Sequence, residues 1–162
     1  MIFLTVGTQL GFDRLIKEVD DWSLDNQNVK IFAQIGKSNY HPKNFSYTDF
    51  LKPGEYNSVF SSSNYVVSHA GMGTIISCLL YHIPVVVMPR KASLSEHRND
   101  HQISTCNRFL GKNGCYVAWD EHELRDFLNN LTKLKASVGN SNESLKFSES
   151  LYQEVASRFG YW

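Results

Sequence analysis

The chain has 162 residues, a hydrophobic fraction of 42% and a charged fraction of 20%, which excludes a disordered segment and gives enough chain for one ordinary core. Sixteen basic residues balance sixteen acidic ones, which argues against a broad nucleic-acid footprint and against membrane attachment by bulk charge and leaves room only for a local patch. The cysteines, Cys78, Cys106 and Cys115, are odd in number and form no Cys-x-x-Cys pair, so neither a disulfide framework nor a zinc ribbon is expected.

In chain order, Ile2–Val6 is an apolar run stopped by Gly7, and reads as a first strand. Phe12, Leu15, Ile16 and Val19 follow at helical spacing. Lys30–Ile35 is a second strand, stopped by Gly36, and residues 36–42 are loop. Ser46–Leu51 is a short strand ended by Pro53-Gly54, and Glu55–Ser62 a short helix. Tyr65–Ser68 is the next strand, and a helix carrying Ile75, Ile76, Leu79 and Leu80 comes after it. Pro84–Met88 has the two-faced apolar character of a central parallel strand. A loop at Arg90–Ser95 leads to a helix expected over Glu96–Leu110, then a strand at Tyr116–Trp119 and a helix at Glu121–Leu131.

This β-α alternation predicts a Rossmann-like, doubly wound parallel sheet over residues 1–136, with any ligand at the carboxyl ends of the strands. Residues 137–144 are polar and read as a linker. Phe147, Leu151, Val155 and Phe159 then recur every fourth residue, which predicts a terminal amphipathic helix. It either packs on its own domain or docks a partner. No basic leader opens the chain and no apolar run reaches the ~18 residues of a membrane span, so a cytoplasmic protein is expected.

The chemistry concentrates in three stretches. The first is Ser68-His69-Ala70-Gly71-Met72-Gly73-Thr74, between a strand and a helix. Two glycines let backbone N–H groups approach a ligand, and a helix start is an anion site. Thr74 adds a hydroxyl, and His69 a ring N–H or a full positive charge. The set suits a diphosphate, but a tight strand-helix turn has the same pattern. The dinucleotide fingerprint fails because Ile76 stands where a third glycine belongs, and the Gly36-Lys37-Ser38 triplet lacks the first glycine of a P-loop. No Asp-x-Asp pair occurs, so no metal-held diphosphate is expected.

The second stretch is Arg90 to Gln102, after the Pro84–Met88 strand. His97 and His101 are spaced as on one helix face, with Asp100 beside them. A third metal ligand is missing, and the plain alternative is a capped helix start with Ser95 as the cap. The third stretch, Val6 to Arg14, puts Gly7, Thr8 and Gln9 at the end of the first strand, as a crevice wall or an ordinary turn.

Together these stretches resemble the carboxyl-terminal domain of family 28 glycosyltransferases. The resemblance rests on Thr5–Gln9 with Phe12-Asp13-Arg14, and on Gln34–Gly36 with Tyr40 and Pro42. It continues through Ser68–Gly71, Gly73–Ile75, Pro84–Pro89, Glu96-His97 and Asp100–Gln102. It covers about residues 1 to 130, and includes the small donor-binding subunits of two-component transferases of the dolichol-GlcNAc and bacterial exopolysaccharide kinds. It implies the donor half of a GT-B enzyme that moves a sugar from a UDP-sugar, with inversion, to a lipid-linked acceptor. No cofactor beyond that donor is implied. A membrane-anchored partner subunit would bind the acceptor and recruit this chain to the cytoplasmic membrane face, and a homo-oligomer is the other arrangement. By similarity the nucleotide sugar would meet Gly7, Thr8, Gln9, Gly36, His69, Ala70, Gly71, Met72, Gly73, Thr74, Arg90, Asp100, His101 and Gln102. Glu96 and His97 are the candidate general bases unless the partner supplies one. Ser77 stands where many relatives carry an acidic ribose contact. That gives weight to the alternative of a non-catalytic subunit that stimulates a partner transferase.

Overall fold

A computed structural model describes residues 1–137. Six strands form one sheet: β1 (Ile2–Thr5), β2 (Ile31–Gln34), β3 (Ser46–Thr48), β4 (Tyr65–His69), β5 (Val85–Met88) and β6 (Cys115–Val117). Every pairing is parallel, in the order β3-β2-β1-β4-β5-β6. Among the described residues four α-helices connect them, α1 (Asp13–Ser23), α2 (Pro53–Ser61), α3 (Met72–Leu80) and α4 (His101–Phe109), and α5 (Glu121–Asn129) follows β6. This is the doubly wound α/β arrangement expected from the sequence. The terminal stripe at Phe147–Phe159 lies outside the described residues.

Strand alternation sorts the core into two layers. Ile2, Leu4, Val67, Val86 and Met88 pack with Leu15, Ile16 and Val19 of α1 and with Leu124 and Leu128 of α5. Phe3, Val66, Val85 and Val87 face the other way, onto Phe60 of α2, Ile75 and Cys78 of α3, and Cys106 and Phe109 of α4. All four residues of β5 are buried, each contributing about 1.5–3 kcal/mol of transfer free energy. The Trp22 indole N–H donates to Asn129 Oδ1 at 2.8 Å, joining α1 to α5.

Most element ends shift from the sequence reading, and three of these shifts have a visible local cause. Helix α2 starts at Pro53, whose missing N–H suits a first helical position, and Glu55 accepts from Lys52 N at 2.9 Å. Strand β6 covers Cys115–Val117 because Trp119 N donates to Glu123 Oε2 at 2.9 Å and Asp120 caps α5. Helix α4 begins at His101 and not at Glu96. Ser95 closes a single 3-10 turn (Ala92–Leu94) in the left-handed region, φ 57°, which stops a helix from starting there. Ser95 is therefore no N-cap, and His97 and His101 share no helix face.

Candidate active site

Parallel strands gather the loops that follow them along one edge. From β1 the chain runs outward to β2 and β3, then crosses back through α2 to β4 on the other side of β1, so the sheet's switch point lies between β1 and β4. The β1–α1 loop, residues 6–12, and the β4–α3 turn, residues 70–71, flank that point.

His69 closes β4, and its ring is wedged between two glycines. A Cβ on Gly71 would stand 2.3 Å from His69 Nε2, and one on Gly7 would stand 2.8 Å from its Cε1. Gly7 also has φ +77°, which side-chain-bearing residues rarely adopt. The Ser68 hydroxyl donates to the His69 carbonyl at 2.8 Å and lies 3.3 Å from Nδ1. Burial and then the Arg90 charge push the imidazole down to about 3, against a raising hydrogen bond with the Thr5 backbone. His69 is thus neutral at pH 7, and the full positive charge considered for it does not form.

Beside it, α3 starts from Gly71 in extended conformation with no side chain capping it. The N–H groups of its first turn have no intrahelical acceptor. A Cβ on Gly73 would meet nothing within 4 Å, so this turn opens outward. Ala70 is buried and Met72 packs on the α3 side of the core, which leaves their backbone as the part that can reach a ligand. Thr74 hydrogen bonds the half-buried Tyr56 phenol. Burial raises that phenol's pKa and the Thr74 contact lowers it.

The second stretch is rearranged most. Arg90, expected to meet the nucleotide sugar, is buried beneath the β1–α1 loop. It donates to the carbonyls of Val6 (2.8 Å), Leu10 (2.7 Å) and Gly11 (3.1 Å) and lies 5.0 Å over the Phe12 ring. Burial lowers its pKa to about 10, partly offset by Glu96. Glu96, a candidate base, accepts from Arg14 Nε at 2.6 Å and Nη2 at 2.8 Å, and from Lys91 N at 2.9 Å. Both its oxygens are committed, so it braces the loop and is poorly placed to take a proton. Arg14 also donates to Glu121 Oε2 at 3.1 Å and to Pro89 O at 3.2 Å, tying together three strand-end segments.

Gln102 is buried, and its Oε1 accepts from Arg90 N at 3.0 Å. Its Nε2 has no partner among the described residues. Asp100 is spent on Ala92 N at 2.9 Å. His97 bonds only to its neighbour Asn99, at 3.1 and 3.3 Å, and the His101 side chain is exposed with no partner among the described residues. Among the described residues, no three His, Cys, Asp or Glu side chains converge as metal ligands. Gly36 joins the crevice: at φ +57°, a Cβ there would stand 3.0 Å from Gly7 O. Thr8 and Gln9 lie exposed at the loop tip.

The structure therefore gathers Gly7, Gly36, His69, Gly71 and Gln102 at the switch point; His97 is near enough to add to the lowering of the His69 pKa, and His101 has no side-chain partner among the described residues. Sequence reasoning passed over Arg14, Gln34 and Ser38 as structural parts of the site. Ser38 Oγ accepts from Phe12 N at 3.0 Å, and Gln34 Nε2 donates to Gly7 O at 3.4 Å. Arg14 and Gln34 stood within the quoted Phe12-Asp13-Arg14 and Gln34–Gly36 matches, the signals that marked them.

A family model described as "Glycosyltransferase family 28 C-terminal domain" matches residues 1–155. Among solved structures, ALG13 is similar at TM-score 0.64 and 19% identity, over 93% of this chain and 96% of that one. The glycotransferase of kitacinnamycin is similar at TM-score 0.60 and 15% identity, over 96% of this chain but only 39% of that one. The C-terminal CMP-Kdo binding domain of WaaA from Acinetobacter baumannii is similar at TM-score 0.52 and 10% identity, over 94% and 88%. The chain thus spans about two fifths of the kitacinnamycin enzyme, yet nearly all of ALG13. At these identities the structural likeness carries the fold.

Proposed function

The chain belongs to the glycosyltransferase family 28 C-terminal domain family; from that premise we propose that it binds a UDP-sugar at the β1/β4 switch point and serves sugar transfer as a donor-binding subunit. One observation carries the reading. A neutral imidazole held between Gly7 and Gly71 lies beside an uncapped, outward-open first turn of α3. Free amides at a helix start and a neutral ring can meet a diphosphate without burying a cation first. Likeness to a domain whose name states CMP-Kdo binding supports a nucleotide-sugar ligand.

In the proposed reaction the acceptor hydroxyl attacks the anomeric carbon from the face opposite the diphosphate. The new C–O bond forms, the bond to the diphosphate breaks, and the diphosphate leaves with the electron pair. Its growing charge falls on the first-turn amides of α3 and on His69, both already in place. The hydroxyl proton goes to a base. Glu96 is held by Arg14 and His97 is engaged with Asn99, so our reading gives the base to a membrane-anchored partner subunit that also carries the lipid-linked acceptor. Truncation after residue 138 tests the docking role of the terminal stripe: the partner should no longer co-purify, and retained co-purification would sink that part.

Titration calorimetry with UDP tests the donor site. Wild type should bind, and His69→Ala should weaken binding about tenfold or more, the loss of a hydrogen bond to a charged group. Wild-type affinity in a folded His69→Ala protein would place the diphosphate elsewhere. The committed Glu96 and the Ser77 substitution favour one second reading, a non-catalytic subunit that stimulates a partner. A transfer assay on the co-expressed pair separates the two, because His69→Ala abolishes transfer only if this chain holds the donor.

A further inference from the structure

We propose that Arg90 is the positioning residue of this crevice: its guanidinium holds the Val6–Gly11 loop in the shape that seats Gly7 against His69, and its backbone N–H fixes the carboxamide of Gln102. The proposal rests on the nucleotide-sugar reading above, because the two elements it holds are those that would grip a nucleoside diphosphate and its sugar.

Buried arginines normally pair with carboxylates. Arg90 is 3% exposed, and its hydrogen-bond partners are instead three backbone carbonyls within one six-residue span. Those carbonyls, of Val6, Leu10 and Gly11, bracket Thr8 and Gln9, which stay exposed at the tip. A planar fork with donors in fixed directions fits such a set, and the Phe12 ring at 5.0 Å keeps the plane in place. A lysine head cannot reproduce that geometry.

The same residue reaches the other wall of the crevice. Its N–H donates to Gln102 Oε1 at 3.0 Å, so the carboxamide orientation is set and Nε2 stays available as a donor. The Gly7 side is secured in turn by Gln34 Nε2 on Gly7 O, and by the His69 ring, which leaves no room for a Cβ. One residue, just past the end of β5, therefore couples the loop after β1, through its side chain, to the start of α4, through its backbone N–H.

The test compares wild type, Arg90→Met and Arg90→Lys in the full chain, with two readouts. The first is UDP affinity by calorimetry. The second is amide hydrogen exchange of residues 7–10 against residues 32–34, without ligand. In a folded Arg90→Met protein, UDP affinity should fall about tenfold or more, as expected for lost charge-assisted hydrogen bonds. Residues 7–10 should exchange faster while 32–34 do not. Arg90→Lys should restore part of both. Wild-type exchange in the loop of Arg90→Met, or wild-type UDP affinity, would overturn the proposal. If wild type itself binds no UDP, the functional reading fails, and the exchange comparison alone decides this inference. If Arg90→Met does not fold, Arg90→Lys and Phe12→Leu carry the same two readouts.

Discussion

The Asp20 carboxylate and the Arg90 guanidinium are 1% and 3% exposed, and each immobilises a loop through backbone groups. Asp20, on α1, accepts from Lys43 N at 3.0 Å, Asn44 N at 2.9 Å, Asn44 Nδ2 at 3.1 Å and Tyr40 Oη at 2.8 Å. Burial, and then this carboxylate, push the Tyr40 phenol up to about 12. The donors named here converge on the anion and are spent there. Around Arg90 the carbonyls point inward to the cation, while Thr8, Gln9 and the first-turn amides of α3 stay open. A held loop is therefore not a site in itself. The site is the place where a held loop leaves donors unspent.

Breaking the Asp20 side should give the largest change in stability. Asp20→Ala leaves several buried donors unsatisfied and should destabilise by about 3–4 kcal/mol in urea unfolding, with UDP affinity of the folded fraction unchanged. A fall in affinity as well would erase the distinction between the two loops. Gly71→Ala comes next, because its Cβ would stand 2.3 Å from His69 Nε2. We expect roughly 1–3 kcal/mol of destabilisation, as for an overpacked core position. UDP binding should be lost even where the protein folds.

The pH dependence sharpens the Arg90 side. His69 has its folded pKa lowered to about 3 from an ordinary 6.5, so below 6.5 the unfolded chain binds the proton that the folded chain refuses. Its contribution is present above 6.5 and is lost as pH falls toward 3, by about 1 kcal/mol per pH unit. Denaturant melts of wild type and His69→Gln should converge as pH falls, and a constant gap would mean that the ring is not buried neutral. A smaller effect is expected at the brace. Arg14 and Glu96 have side chains only 14% and 13% exposed, so Glu96→Gln should lower stability by about 1–2 kcal/mol. In a transfer assay with the partner, its rate should fall far less than the 10²–10⁴-fold expected on removal of a general base. A loss of that size would return Glu96 to the chemistry. Thr8→Ala, at the exposed tip, should change stability by less than about 0.5 kcal/mol, so any loss of UDP affinity reports contact alone.

The alternation of short apolar runs such as Val85–Met88 with helical stretches, and the glycines after the first, second and fourth strands, made the sheet and its ligand edge legible in the sequence. Those signals are local. A strand's faces repeat every two residues and a helix's every three or four, and a glycine marks a close approach wherever it falls. Gly7, Gly36, His69, Gly71 and Gln102 could therefore be placed at one edge from chain order alone. The tertiary structure decided what the charged and polar side chains do there. Arg90 turns inward to carbonyls 79 to 84 residues away, and Arg14 reaches Glu96 across 82. Ser95, held left-handed, delays α4 to His101, and the Arg90 charge helps keep His69 neutral. A charge takes its role from the partners it meets in three dimensions, and no period in the chain encodes those distances.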